Sequence, residues 1–236
     1  MATHTAATHT GASHTATAAF FRVEGTLVSQ GTLAATAYLA GNAQGFGERL
    51  LRLGGVALAA PVFGLLGQND RTLANRVAHL AYRGMSEDRI AVLGEEYFDD
   101  VLKGKVLETG RDLLKKARAD GRRIVLLSEG LSLVMDPLAA YLGGVDDLIC
   151  NRLEFTDGEA TGKLLDPVVG GHDGGRLIAR YAAEHGIDLA RSVAYAAHGP
   201  DMLLLAAVGS PCAVNPDFTL RRAAREADWP VMEYRS

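Results

Sequence analysis

Apolar and polar positions divide the chain into two regimes. The first is announced by a compact apolar run, Ala18-Ala-Phe-Phe21, that ends in Arg22-Val-Glu24 and a Gly25-Thr26 turn. An uninterrupted apolar run of this length is the profile of a buried parallel strand, with the polar residues presented at its carboxyl end. From Thr32 to about Lys105 the pattern becomes helical with glycine-rich breaks: Leu33–Leu53 is Ala/Leu-rich, Leu53–Gly67 is apolar and Arg71–Tyr82 is amphipathic. Ser86 suits an N-cap, because Glu87 and Asp88 follow in the first turn, where the helix dipole favours anions. From Glu108 onward short apolar runs alternate with helical patterns. Helix Thr109–Asp120 leads to strand Arg123–Ser128, helix Leu131–Leu142 and strand Asp147–Cys150. Alternating runs around Asp157-Gly158 signal a hairpin. Helix Arg176–His185, strand Ser192–Ala196, helix Met202–Val208, strand Cys212–Asn215 and helix Phe218–Ala227 follow, with a short final strand within Trp229–Tyr234. Repeated β-α alternation with short links implies an α/β fold built on a doubly wound parallel sheet.

Composition narrows the class. The 236 residues are 48% hydrophobic and 22% charged with a net charge of −4, as in a globular protein with no electrostatic case for nucleic acid as partner. Cys150 and Cys212 have no metal-type spacing and read as reduced thiols of a cytoplasmic protein. Thr3–Thr17 consists of Thr, His, Ala, Ser and Gly, with His4, His9 and His14 five residues apart. It lacks the basic and apolar regions of a signal peptide and reads as a disordered tail. Leu53–Gly67 spans 15 residues with four glycines and Pro61, short of the roughly 20 that cross a bilayer. A buried cap helix is the expectation there, with shallow contact at a membrane surface as the lesser reading.

The motif at the first strand resembles that of the haloacid dehalogenase (HAD) superfamily, Asp-x-Asp-Gly-Thr, here Arg22-Val-Glu24-Gly-Thr. Ala182-Ala-Glu-His-Gly-Ile-Asp188, Ala207-Val-Gly-Ser-Pro211, Ala213-Val-Asn-Pro-Asp217 and Trp229-Pro-Val231 strengthen the likeness, which is closest to the phosphoserine-phosphatase-like branch. The resemblance implies a Rossmann-like core with an inserted α-helical cap. It divides the chain into the tail (1–17), a core of 18–31 and 106–236, and a cap of 32–105. It also implies roles. The first Asp of the family, its nucleophile, falls on Arg22, and the general acid falls on Glu24. The phosphoryl-holding hydroxyl is Ser128, beside which Glu129 is an unwelcome charge. The motif lysine, counted back from Ala182 without gaps, falls on Gly174 in Gly170-Gly-His-Asp-Gly-Gly175. Gly-Asp-Ser-x-x-Asp aligns with Ala196–Asp201, so its first Asp is Ala197 and only Asp201 remains.

Those substitutions bear on chemistry. A guanidinium stays protonated at any relevant pH and cannot act as the carboxylate nucleophile. Mg²⁺ requires hard oxygen ligands, and Arg22 with Ala197 removes two of them. Without lysine or metal, little is left to stabilise charge on the transferring phosphoryl oxygens. The family set of about four carboxylates, a lysine and Mg²⁺ sums to the same charge as Arg22, Glu24 and Asp201, so Arg22 is expected to stand in for the missing cations, with a side chain turned to solvent as the alternative. His172 and His198, on the two loops that meet at the pocket, offer with Glu24 and Asp201 a mixed N/O ligand set for a transition metal. His79 and His185 read as structural. The leading expectation is a pseudophosphatase with a degenerate pocket, no catalytic residue, no cofactor and a protein partner. The alternative is a weak or repurposed Mg²⁺-dependent phosphomonoester hydrolase, favoured by retention of Ser128 and Asp201.

Overall fold

The computed structural model of the protein describes residues 16–29, 31–42 and 71–234. The tail histidines and the Leu53–Gly67 segment lie outside them. At the centre runs β1 (Ala18–Arg22), every residue of it buried, a strand paired in parallel with β2 (Arg123–Leu131) on one side and, through Ala19–Phe21, with β6 (Val193–Ala196) on the other. With β3 (Asp147–Asn151), β7 (Ser210–Val214) and β8 (Val231–Met232) these form a six-stranded parallel sheet in the order β3-β2-β1-β6-β7-β8. The order reverses direction beside β1, which makes this the doubly wound topology the alternation implied.

The two-residue period of a strand sends alternate β1 side chains to opposite faces. Ala19 and Phe21 join one hydrophobic cluster, where Phe21 stacks on Tyr195 with centroids 4.7 Å apart. Ala18 and Phe20 join the other, where Phe20 meets the edge of Tyr181 at 6.1 Å. Helices α1 (Thr32–Gly41), α2 (Arg71–His79) and α3 (Glu87–Tyr97) lie in the insertion between β1 and β2, followed by α4 (Glu108–Ala119). Then come α5 (Ser132–Leu142), α6 (Gly174–His185), α7 (Met202–Ala206) and α8 (Phe218–Glu226). Ser86 caps α3 as expected, its hydroxyl accepting from Arg89 N at 3.3 Å. Asp217 caps α8 in the same way, accepting from Leu220 N at 2.8 Å.

The hairpin forms where expected. β4 (Leu153–Thr156) and β5 (Glu159–Leu164) are antiparallel, and Asp157 and Gly158 turn with φ of 51° and 79°. Two positive φ values fit the tight turn whose twist matches paired strands, and Asp-Gly is suited to it. Its outer strand bonds the insertion, with Gly84 N donating to Ala160 O and Ala160 N to Met85 O, both at 2.8 Å. Among the described residues, no helix is long and apolar enough to cross a membrane.

Two boundaries differ instructively from the sequence expectation. The second strand continues past Ser128 to Leu131, so the helix after it starts at Ser132. Between Leu127 and Leu131 strand β2 advances four residues while its partner β3 advances two, from Ile149 to Asn151. The surplus residues bulge out of the ladder, and a bulge re-aims a side chain. The side chain re-aimed here is Glu129.

Candidate functional site

The carboxyl ends of β1, β2 and β6 converge with the 170–174 loop. Arg22 closes β1 and is only 1% exposed. Its guanidinium meets three carboxylates: Nη2 donates to Glu129 Oε1 in a short contact, and Nε lies 3.1 Å from Asp201 Oδ1 and 3.7 Å from Glu24 Oε2. Burial opposes the charge of Arg22, but Asp201, Glu129 and Glu24 together outweigh it and hold the pKa above the ordinary arginine value. The guanidinium is therefore a permanent cation at the centre of the pocket.

Glu24 reaches the end of β2. Its Oε1 accepts from Ser128 Oγ at 2.6 Å and from Glu129 N at 3.1 Å, while Ser128 Oγ accepts from Gly130 N at 2.9 Å. Thr26 Oγ1 donates to the Arg22 carbonyl and secures the turn. Gly25, at φ 84°, brings this turn against the fourth-motif loop: a Cβ built on it would lie 2.6 Å from both Ala197 Cβ and His198 Cε1. Only glycine suits both that conformation and that approach.

Asp201 is almost fully buried, in the one-turn helix Gly199–Asp201. Asp217 steadies this loop, its Oδ2 accepting from Gly199 N at 2.9 Å. Gly174 opens α6 against α7, and a Cβ there would meet Leu204 Cβ at 2.9 Å. The backbone at the lysine position thus lies too close to its neighbour for a larger residue to enter without a shift. Ala197 is buried, His198 half-buried and His172 exposed. Among the described residues no three His, Cys, Asp or Glu side chains form a metal-type group, so the His172/His198 set with Glu24 and Asp201 is not assembled.

Glu129, Asn75 and Asn151 are absent from the sequence-based set. Glu129 is 2% exposed and is the nearest partner of Arg22, which corrects the charge comparison above: one guanidinium faces three carboxylates, not two. A charge inside an apolar strand requires a partner, but the sequence reading ended this strand at Ser128 and so left Glu129 outside it. Asn75, buried on α2, donates from Nδ2 to Glu129 Oε2 at 3.4 Å and to Val169 O at 3.0 Å. Asn151 Nδ2 donates to Glu129 O at 2.7 Å and to Val169 O at 3.1 Å, and Val169 N donates back to Asn151 Oδ1 at 2.7 Å. Asn75 shares its helix face with Ala74, Ala78 and His79, all buried, so the amphipathic pattern was its signal.

With this geometry in place, the relationships are clear. The model of the haloacid dehalogenase-like hydrolase family matches residues 19–206, and the chain belongs to that family. It is 30% identical over 221 residues to phosphoserine phosphatase SerB1 of Mycobacterium tuberculosis strain H37Rv, spanning 92% of this chain and 71% of that one. A Bordetella pertussis Tohama I protein of unknown function superposes with a TM-score of 0.78 at 24% identity, over 92% of this chain and 98% of that one. A substrate-bound phosphoserine phosphatase superposes with a TM-score of 0.69 at 18% identity, over 94% of each chain. The sequence similarity and the shared fold place the chain in the phosphoserine-phosphatase-like branch, with its inserted helical cap.

Proposed function

We propose that this protein is a pseudophosphatase, a HAD-fold chain that does not transfer phosphoryl groups and acts as a binding, scaffold or regulatory protein toward a protein partner. One observation carries the reading: the cation between Glu24 and Asp201 is the guanidinium of Arg22, within 3.7 Å of both. The carboxylates that would serve Mg²⁺ are thus turned on a fixed positive charge, and the donor set does not suit a divalent cation. The residue at the nucleophile position has no lone pair to offer a phosphorus atom. Close packing of Gly174 on Leu204 supports the same reading, since a lysine there would require its neighbour to shift. Cys150 and Cys212 are free thiols, as suits a reducing compartment.

The test is turnover. Purified protein with Mg²⁺ and an aryl phosphate is expected to hydrolyse ester no faster than buffer. Turnover that vanishes on Glu24→Gln or Asp201→Asn would sink the reading and favour the second one, a residual metal-dependent phosphomonoester hydrolase. That second reading is favoured by the Ser128–Glu24 contact at 2.6 Å and by the activity named for SerB1.

A further inference from the structure

Glu129 raises a question that the loss of catalysis does not answer: why a carboxylate is drawn into a buried pocket that already holds two others. Its surroundings supply the reason. Oε1 accepts from the Arg22 guanidinium and from Gly171 N at 3.3 Å, and Oε2 accepts from Asn75 Nδ2 at 3.4 Å. These donors come from three separate segments: strand β1, the loop before α6, and helix α2 of the insertion. A guanidinium, a backbone N–H and a side-chain amide converging on two oxygens are the parts of an oxyanion-binding site.

The two side-chain donors also have supports that do not involve the Glu129 side chain. Arg22 is held by Asp201 and Glu24, and Asn75 by the Val169 carbonyl. Asn151 pins the Glu129 carbonyl and Val169, and so fixes the backbone on both sides of the cradle. Trimming Glu129 would therefore leave a shaped anion site.

We propose that the pocket retains a binding site for a small oxyanion, a carboxylate or its equivalent, and that the Glu129 carboxylate occupies it as a built-in ligand. The bulge in β2 is what delivers that side chain. External anions are excluded while Glu129 is in place, so the contact is autoinhibitory. The same carboxylate ties the insertion to the core through Asn75. This proposal deepens the pseudophosphatase reading and rests on it in one respect, that the pocket does not open to admit a phosphate ester. Turnover tests that reading and formate binding tests this one, so their failures are distinguishable.

The experiment is reversible urea unfolding of the full chain in sodium formate or in sodium chloride at equal ionic strength. Unfolding exposes the site at every cycle, so burial of the cradle sets no kinetic barrier to equilibrium. Glu129→Ala is expected to show a midpoint that rises with the logarithm of formate concentration, as for a ligand bound only by the native state. The wild type and the Arg22→Ala/Glu129→Ala double variant are expected to show no difference between the two salts. If Glu129→Ala has no cooperative transition in chloride, return of the transition in formate supports the proposal, and its absence in both salts overturns it. A single variant that responds no more than the wild type, or a double variant that responds equally, overturns it as well.

Discussion

Arg22 holds three acidic side chains together, and its worth follows from what its absence would leave. Arg22→Ala exposes Glu24, Glu129 and Asp201 to one another, two of them almost wholly buried. Removing one partner of a buried ion pair costs on the order of 3–5 kcal/mol, against roughly 0–1 kcal/mol for an exposed pair. Urea unfolding of Arg22→Ala should show a loss in the larger range, and a variant as stable as its parent would refute the structural role. His79 contributes a second effect. Its ring is fully buried, Nδ1–H donates to Asn75 O at 2.6 Å, and Nε2 has no hydrogen-bond partner among the described residues. Burial, only partly offset by that bond and by the field of Glu129, lowers its pKa from 6.5 to about 4. The unfolded chain therefore takes up this proton first. Stability from the neutral ring is complete above pH 6.5 and declines toward pH 4, by about 1.4 kcal/mol per pH unit. His79→Gln should flatten the stability profile just below neutrality, where few carboxylates titrate, and an unchanged slope there would count against the assignment.

Between residues and whole molecule, elements pass on constraints that single positions do not reveal. Pro137 lies inside α5 and gives the Leu133 carbonyl no N–H partner. Helix α3 passes directly over that carbonyl at Gly94, where a Cβ would lie 2.3 Å from Leu133 O. Gly94→Ala must push the insertion away from α5, and overpacking of this kind costs about 1–3 kcal/mol despite the better helix propensity of alanine. Thermal unfolding should place this variant below the wild type, and a gain in stability would mean the two helices separate freely. How far such features can be read in advance depends on their range. The Phe20-Phe21 run, the Ser86 cap and the Asp157-Gly158 turn were legible because each depends on neighbours in sequence. So was the buried destination of Arg22, through the charges aligned with it. The bulge that turns Glu129 inward was not, because it arises from the register of β2 against β3, some twenty residues apart in sequence. Asn75 was missed for the same reason: its helix face was readable, but not which carboxylate that face would meet.

At the scale of the whole molecule, the site behaves as one electrostatic unit joined to global stability. Five segments contribute to it: the end of β1, the bulge of β2, helix α2, the loop at Gly171 and the turn at Asp201. A ligand that binds only the folded chain raises its stability by RT ln(1 + [L]/Kd), about 2.7 kcal/mol at a hundredfold excess over Kd. In a protein of this size a kcal/mol corresponds to a shift of roughly 2–4 °C, so a bound divalent cation would be conspicuous. Arg22 already faces Glu24 and Asp201, and Mg²⁺ could enter only by displacing a guanidinium that carries charge at every accessible pH. Millimolar Mg²⁺ is therefore expected to leave the melting temperature where chloride salts of equal ionic strength leave it. Arg22→Asp alone should remain inactive, because Ala197 still lacks a carboxylate and Gly174 still lacks the lysine amine. A Mg²⁺-dependent rise in the wild type would mean that the carboxylates can exchange one cation for the other, and the pseudophosphatase reading would fall with it.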